Sequence, residues 1–333
     1  MIAPELSEDF RGKRILITGG LGFLGSTLAA ELLELGADVT LVDSLVPEYG
    51  GNKANIEGLE DKLHVNVSDV RDIHSMQHLV RGRDVIFNLA GQTSHLDSMV
   101  DPYTDLEINC RAQLSILEAC RHNNPDARVV FASTRQIYGR PRYLPVDEAH
   151  PISPVDVNGI NKAAGEWYHL VYGDVYDIPV AVLRLTNTYG PRMRVRDARQ
   201  TFLGDWLRRL LTGEELVIWG DGKQLRDFNY VDDAVNAFLL AGARDEAIGH
   251  VYNLGDDRHV SLRELAEILV TLHDGSYRVE PFPEERRSID IGDYFADYSE
   301  IRDALGWAPR VGLEDGLART IAFYRERGDR YWE

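Results

Sequence analysis

The sequence predicts an α/β fold, a doubly wound parallel sheet with a smaller C-terminal α/β region, and three observations predict it. Short β-branched runs alternate with amphipathic stretches through the first 186 residues, the order of right-handed βαβ crossovers. Runs such as Asp84-Val85-Ile86-Phe87-Asn88-Leu89 are almost continuously apolar, as suits parallel strands covered on both faces. The first apolar run leads straight into Gly19, Gly22 and Gly25 and then a helical stretch.

Taken in order, the spacing predicts strands over 13–18, 38–43, 62–67, 84–89, 127–133 and 179–186. Helices are expected between them over 22–35, 72–81, 104–122 and 158–176. After about residue 190 the pattern shifts to helices over 200–213, 232–244, 261–273 and 313–327, with short strands near 215–219, 225–230, 250–254 and 276–282. Two regions follow, 1–186 for a cofactor and 187–333 for a substrate, with an interleaved boundary. In such sheets ligands bind beyond the carboxyl ends of the strands, so the informative residues are sought after each strand.

Composition narrows the partners. The 333 residues carry a net charge of −18 with 44% apolar residues, which permits a full core and argues against nucleic-acid or anionic-membrane binding. Cys110 and Cys120 fall on one predicted helix, about 15 Å apart by helical rise, too far to bridge, and a reducing cytoplasmic setting is expected. Residues 1–11 do not read as a signal peptide. No apolar run approaches the roughly 18–20 residues of a membrane span. No metal-ligand set is assigned.

The glycine turn has the geometry that receives a dinucleotide pyrophosphate. Small residues let the backbone approach the phosphates, and the helix N-terminus offers unpaired N–H groups. Asp43 closes the second strand 24 residues past Gly19, where a ribose diol would be held. A carboxylate there repels a 2′-phosphate, so NAD is expected over NADP. A tight structural turn is the plainer reading of the glycines alone. The ordered series of strand, glycines, helix, strand and acid favours a Rossmann-type cofactor site, with Phe23 and Leu24 in its wall.

Five further segments follow strands or open helices: Ser68-Asp69-Val70-Arg71-Asp72, Asn88-Leu89-Ala90-Gly91-Gln92, Ser133-Thr134-Arg135-Gln136-Ile137-Tyr138-Gly139, Asn158-Gly159-Ile160-Asn161-Lys162, and Leu183 to Arg192. With Gly220 to Asp233, Arg287 to Asp297 and Leu305-Gly306-Trp307-Ala308-Pro309, the chain resembles the extended short-chain dehydrogenase/reductases, specifically the nucleotide-sugar epimerases and dehydratases, over nearly its whole length. The resemblance implies that Asp69 and Val70 contact the adenine and that Leu89, Ala90 and Leu185 line the cofactor cleft. It places Lys162 at the nicotinamide ribose and Thr134 at the reacting sugar hydroxyl. His95, Asn187, Arg226 and Arg287 would hold the sugar nucleotide, a UDP-, dTDP- or CDP-linked sugar. Guanidinium donors suit its diphosphate. It also implies a homodimer packed through helices 104–122 and 158–176. Beside these roles stand plainer ones: a helix N-cap for Asp69, a solvated lysine, surface ion pairs for Arg226 and Arg287, a turn for Asn187.

The pattern breaks at one place. The family's catalytic base is a tyrosine four residues before the lysine, and here that position is Asn158. Residues 158 and 162 still share a helix face, but an amide cannot carry a proton as a phenolate does. Replacement bases are His95, Asp97, Tyr138 or Tyr168. Alternatively, Thr134 relays the proton through water with Asn158 orienting it, or redox chemistry is lost and the chain only binds NAD and a sugar nucleotide. The acid pair that follows the threonine in 4,6-dehydratases is Arg135-Gln136 here, so elimination of water loses its acids. Decarboxylating relatives also place an acid near Gln136. Uronic-acid epimerases place an arginine near Leu96, absent here. An epimerase of a neutral hexose, acting by transient oxidation to a keto-sugar, fits these exclusions. The loop Arg192-Met193-Arg194-Val195-Arg196-Asp197-Ala198-Arg199 has four arginines in eight residues, read as a substrate loop, a solvated loop or a subunit contact.

Overall fold

The computed structural model describes residues 3–198 and 201–332. Seven parallel strands form the main sheet in the order β10-β6-β5-β4-β1-β2-β3. They are β1 (Arg14–Thr18), β2 (Asp38–Asp43), β3 (His64–Val67), β4 (Val85–Asn88), β5 (Arg128–Thr134), β6 (Val180–Leu185) and β10 (Val251–Asn253). Chain order reverses between β1 and β4, the crevice where doubly wound sheets take their ligands.

The strands read as unbroken apolar runs because both faces are covered. Ile15, Ile17, Val85 and Phe87 enter one core cluster. Their alternates Leu16 and Ile86 enter a second cluster, with Ile116 and Leu117. Each such side chain contributes about 1.5–3 kcal/mol by leaving water. The helix Val231–Ala243 closes the first face, with Phe238 edge-on to Phe87 at 6.5 Å between ring centroids. The second half of the chain therefore covers and extends the sheet of the first.

Predicted and observed elements agree to within two residues at nearly every end. One difference matters for the site. The single helix expected over 104–122 is Pro102–Leu106, a π-helical turn Glu107–Arg111 and Ala112–Asn123. The wider turn carries Asn109, whose Nδ2 donates to the Gln92 carbonyl at 2.8 Å. Gly165 makes room opposite, since a Cβ there would lie 2.8 Å from the Asn109 oxygen.

The smaller region holds two further sheets. One is β11 (His259–Ser261), β9 (Leu225–Tyr230) and β7 (Asn187–Tyr189); the other is β12 (Tyr277–Glu280) and β8 (Leu216–Trp219). Trp307, fully buried, donates its indole N–H to the Asp233 carbonyl at 2.9 Å. This anchors the closing Leu-Gly-Trp-Ala-Pro segment on the helix that covers the main sheet. Among the described residues no helix is long and apolar enough to cross a membrane.

Candidate active site

Two cavities meet at the carboxyl ends of the strands and share Phe23, Leu24, Leu89 and Thr93 in their walls. The smaller, about 180 Å³, is walled by Gly19, Gly22, Gly25, Asp43, Asp69, Val70 and Ala90 together with Tyr49. Gly19 takes φ +68°, and a Cβ there would lie 3.1 Å from the Ala90 backbone. Thr18 sets that approach: its Oγ1 accepts from Leu89 N and Ala90 N, both at 3.1 Å. The helix Phe23–Glu34 begins at Gly22 with no side-chain cap, so its first N–H groups face the cleft unclaimed by a side chain.

Asp43 stands at the end of β2. Its Oδ2 accepts from Leu21 N at 3.0 Å and its Oδ1 from Leu45 N at 2.9 Å. Burial pushes this carboxyl upward while the two N–H bonds pull it down. Each oxygen keeps a lone pair for a ribose hydroxyl. Asp69 is not the helix cap: that role belongs to Asp72, whose Oδ1 accepts from His74 N. Asp69 instead pairs with Arg71 at 2.6 Å, and Arg71 holds its carboxyl below the usual range. The open helix N-terminus, the close glycine backbone and the Asp43 lone pairs fit an adenine dinucleotide.

The larger cavity, about 590 Å³, gathers His95, Thr134, Asn158, Lys162, Leu185, Asn187 and Arg226. Lys162 is buried and donates to the Ala132 carbonyl at 3.1 Å. Burial brings its ammonium down to about 8, against the pull of Asp105. Gly91 permits this placement, for a Cβ there would lie 2.8 Å from Nζ. Thr134 Oγ1 accepts from Gln136 N at 3.2 Å, which leaves its hydroxyl proton for a ligand.

Asn158 is not a vacated tyrosine position. Its Nδ2 donates to the Gln92 carbonyl at 2.8 Å and to Asp105 Oδ2 at 3.0 Å, and Asn161 Nδ2 donates to Asp105 Oδ1 at 2.8 Å. Gln92, Asp105, Asn109, Asn158 and Asn161 form one buried polar network. Two residues before Asn158, Asp156 caps the helix through Gly159 N at 2.7 Å and accepts from Gln136 Nε2 at 2.7 Å. His95 Nδ1 lies 3.0 Å from Asp156 Oδ2, a contact that lacks hydrogen-bond alignment. Burial works to raise the Asp156 carboxyl, but His95, Gly159 N and Gln136 together hold it below the ordinary range.

Other candidates fall elsewhere. Arg287 is exposed on the short helix Glu284–Arg287, paired with Glu284 at 3.3 Å, and is absent from the cavity wall. Tyr138 is fully buried between Asn253 and Arg184, both at 2.6 Å from its hydroxyl. Burial pushes that phenol up to about 12. Asp97 and Tyr168 do not line the cavity. In the arginine loop, Arg194 lines the cavity but pairs with Asp197 at 2.7 Å, and Arg196 is exposed. Arg192 packs toward Thr27, and Arg199 lies outside the described residues. Sequence reasoning missed Asp105, Asp156 and the free end of Arg135. Their partners are distant in the chain, so no local spacing signals them.

A model of the family described as "NAD dependent epimerase/dehydratase family" matches residues 15–255. The putative UDP-glucose 4-epimerase of Methanocaldococcus jannaschii is 33% identical over 92% of this chain and 97% of its own length. The UDP-N-acetyl-α-D-glucosaminuronate decarboxylase of Bacillus cytotoxicus is 32% identical over 94% and 98%. The dTDP-glucose 4,6-dehydratase of Streptomyces venezuelae, solved with NAD bound, superposes with a TM-score of 0.87 at 29% identity, over 96% of this chain and 99% of that one.

Proposed function

The chain belongs to the NAD-dependent epimerase/dehydratase family of nucleotide-sugar enzymes, and from that premise we propose that it is a nucleoside-diphosphate-sugar epimerase whose proton carrier is His95. The observation that carries this reading is the wall beyond Thr134. Arg135 and Gln136 stand there, and the Gln136 amide is committed to Asp156 at 2.7 Å. No carboxyl of those two positions is present to drive elimination of water. What remains supports removal and return of a proton at one ring hydroxyl.

The glycine turn, Asp43 and Asp69 would hold NAD, which when bound takes up and returns a hydride. Lys162 would hold the nicotinamide ribose, its ammonium brought down to about 8 by burial. Thr134 Oγ would orient the sugar hydroxyl. His95 Nδ1 faces Asp156, which leaves Nε2 as the nitrogen for the cavity. An imidazole beside a buried carboxylate is a side chain that can accept a proton from a hydroxyl and return it. Asn158, with its amide spent on Gln92 and Asp105, shapes the site and carries no proton.

The test is to incubate the NAD-loaded protein with UDP-, dTDP- and CDP-linked hexoses and follow the anomeric protons by NMR. An epimer is expected from one of them. His95→Gln should lower kcat by about 10²–10⁴-fold while NAD affinity, read by calorimetry, stays unchanged. A keto-deoxy product or released carbon dioxide would overturn the epimerase reading. Binding of both ligands without turnover would leave a silent binding protein. Full activity in His95→Gln would remove His95 as the carrier.

A further inference from the structure

Arg135 stands in the cavity wall directly after Thr134. Its Nη2 donates to Asn187 Oδ1 at 2.9 Å, and its guanidinium lies 5.1 Å from the centre of the Tyr294 ring. Its Nη1 is buried and has no hydrogen-bond partner among the described residues. Asn187 is fixed in turn, because its Nδ2 donates to the Asp227 carbonyl at 2.9 Å. The amide oxygen therefore faces the arginine and holds the fork in place.

The neighbouring carboxylates are spent elsewhere. Asp227 accepts from Thr186 Oγ1 and from Ala296 N at 3.0 Å. Asp290 accepts from Gln224 Nε2 and Gly292 N, both at 3.2 Å, and lies 4.0 Å from Arg226. Arg226, also buried in this wall, donates to the Leu225 and Gly292 carbonyls. Other arginines of the cavity have acid partners: Arg194 with Asp197, Arg209 with Asp205, and Arg278 with Glu280. Among the described residues no carboxylate pairs with Arg135. A guanidinium stays charged, and burying one without a counter-ion is costly. Arg226, which has Asp290 nearby, repels Arg135 across the same wall, and a chain of net charge −18 has acids to spare for neutralising both. The unpaired end suits an anion that arrives from outside.

We propose that Arg135 is a specificity-determining residue of the substrate cavity, receiving an oxyanion of the substrate on Nη1 while Asn187 holds its other nitrogen. The oxyanion is either the diphosphate or a carboxylate on the sugar. This rests on the nucleotide-sugar reading above. No arginine stands near Leu96, where the uronic-acid epimerases place one, whereas Arg135 stands in the cavity wall.

The test uses the NAD-loaded protein and its Arg135→Met and Arg135→Lys variants. Calorimetry is run with UDP, UDP-glucose and UDP-glucuronate and with their thymidine and cytidine counterparts, beside thermal melts. Arg135→Met should retain or raise the melting temperature, because it removes a buried unpaired charge. It should lose about tenfold to a hundredfold in affinity for the anion that the arginine receives, the range of a charge-assisted hydrogen bond. Arg135→Lys should lose less. A loss shared by the free nucleoside diphosphate assigns the diphosphate; a loss confined to the uronate assigns the sugar carboxylate. Unchanged affinity for every ligand overturns the proposal, and a lowered melting temperature beside it marks Arg135 as a packing residue. A loss confined to the neutral sugar also overturns it. If the wild-type protein binds none of the nucleotides, the nucleotide-sugar reading itself fails.

Discussion

Asn158 and Asp105 show how one residue type can be locked by its partner. The Asn158 amide nitrogen lies 3.0 Å from Asp105 Oδ2 in a site that admits almost no water. Asn158→Asp is nearly isosteric but places two carboxylates at that distance. They cannot both ionise, and one is forced to keep a proton. The expected result is a loss of about 3–5 kcal/mol in unfolding free energy at pH 7. The shared proton raises the folded-state pKa of the pair, so the deficit shrinks as pH falls toward 5. Denaturant titrations at both values check this, and an unaltered midpoint at pH 7 would mean that the network is not held by charge. That the glycine turn and Asp43 wall one cavity is legible in the sequence, because their placement follows from backbone position. The places of Arg135 and Arg287 are not, because an arginine's role depends on where a long side chain finds a partner. Arg135 finds Asn187, 52 residues away, and Arg287 pairs with its helix neighbour Glu284.

The helix Val157–Tyr176 joins the site to the core. Asp156 caps it, its first two turns carry Asn158 and Lys162, and its middle carries His169, which is buried and stacked on Phe131 at 4.1 Å between ring centres. His169 Nδ1 lies 2.7 Å from the Gly165 carbonyl and Nε2 lies 3.2 Å from Asn88 Nδ2. This suits a neutral ring that donates at Nδ1 and accepts at Nε2. Burial holds the imidazole down to about 4, against the Gly165 bond and aided by nearby Lys162. Above pH 6.5 the ring is neutral whether folded or not, and its full contribution is present. As pH falls from 6.5 toward 4 the unfolded chain takes up the proton first, and stability drops by on the order of 3 kcal/mol. His169→Gln should flatten that part of the profile in urea titrations between pH 7 and pH 4.5, and a profile identical to wild type would refute the assignment. Periodicity located this helix to one residue, because its apolar face repeats regularly. It could not show the π-helical turn at Glu107–Arg111, whose extra residue is set by the Asn109 contact with Gln92 and the close approach at Gly165.

At the scale of the molecule, one surface departs from the acidic exterior. On the helix Val157–Tyr176, Ile160, Trp167, Val171 and Val175 form an exposed apolar stripe, with Trp167 56% accessible. Val100, Tyr103 and Leu106 continue it on the neighbouring helices, Val100 being 85% accessible. Contiguous apolar patches of this kind mark association surfaces, and a two-fold pairing of the same patch is the commonest closed solution. A homodimer would set two helices of each copy side by side on this face. It would also brace the helix that carries Lys162 and is capped by Asp156. Sedimentation at micromolar concentration should give twice the chain mass of 37.6 kDa. The double variant Trp167→Glu with Val171→Glu should sediment as a monomer, since a charge buried in an apolar contact without a partner costs several kcal/mol. It should also melt at a lower temperature, now independent of protein concentration. A wild-type monomer, or a dimer that survives both glutamates, would place the association surface elsewhere and leave the stripe without a self-partner.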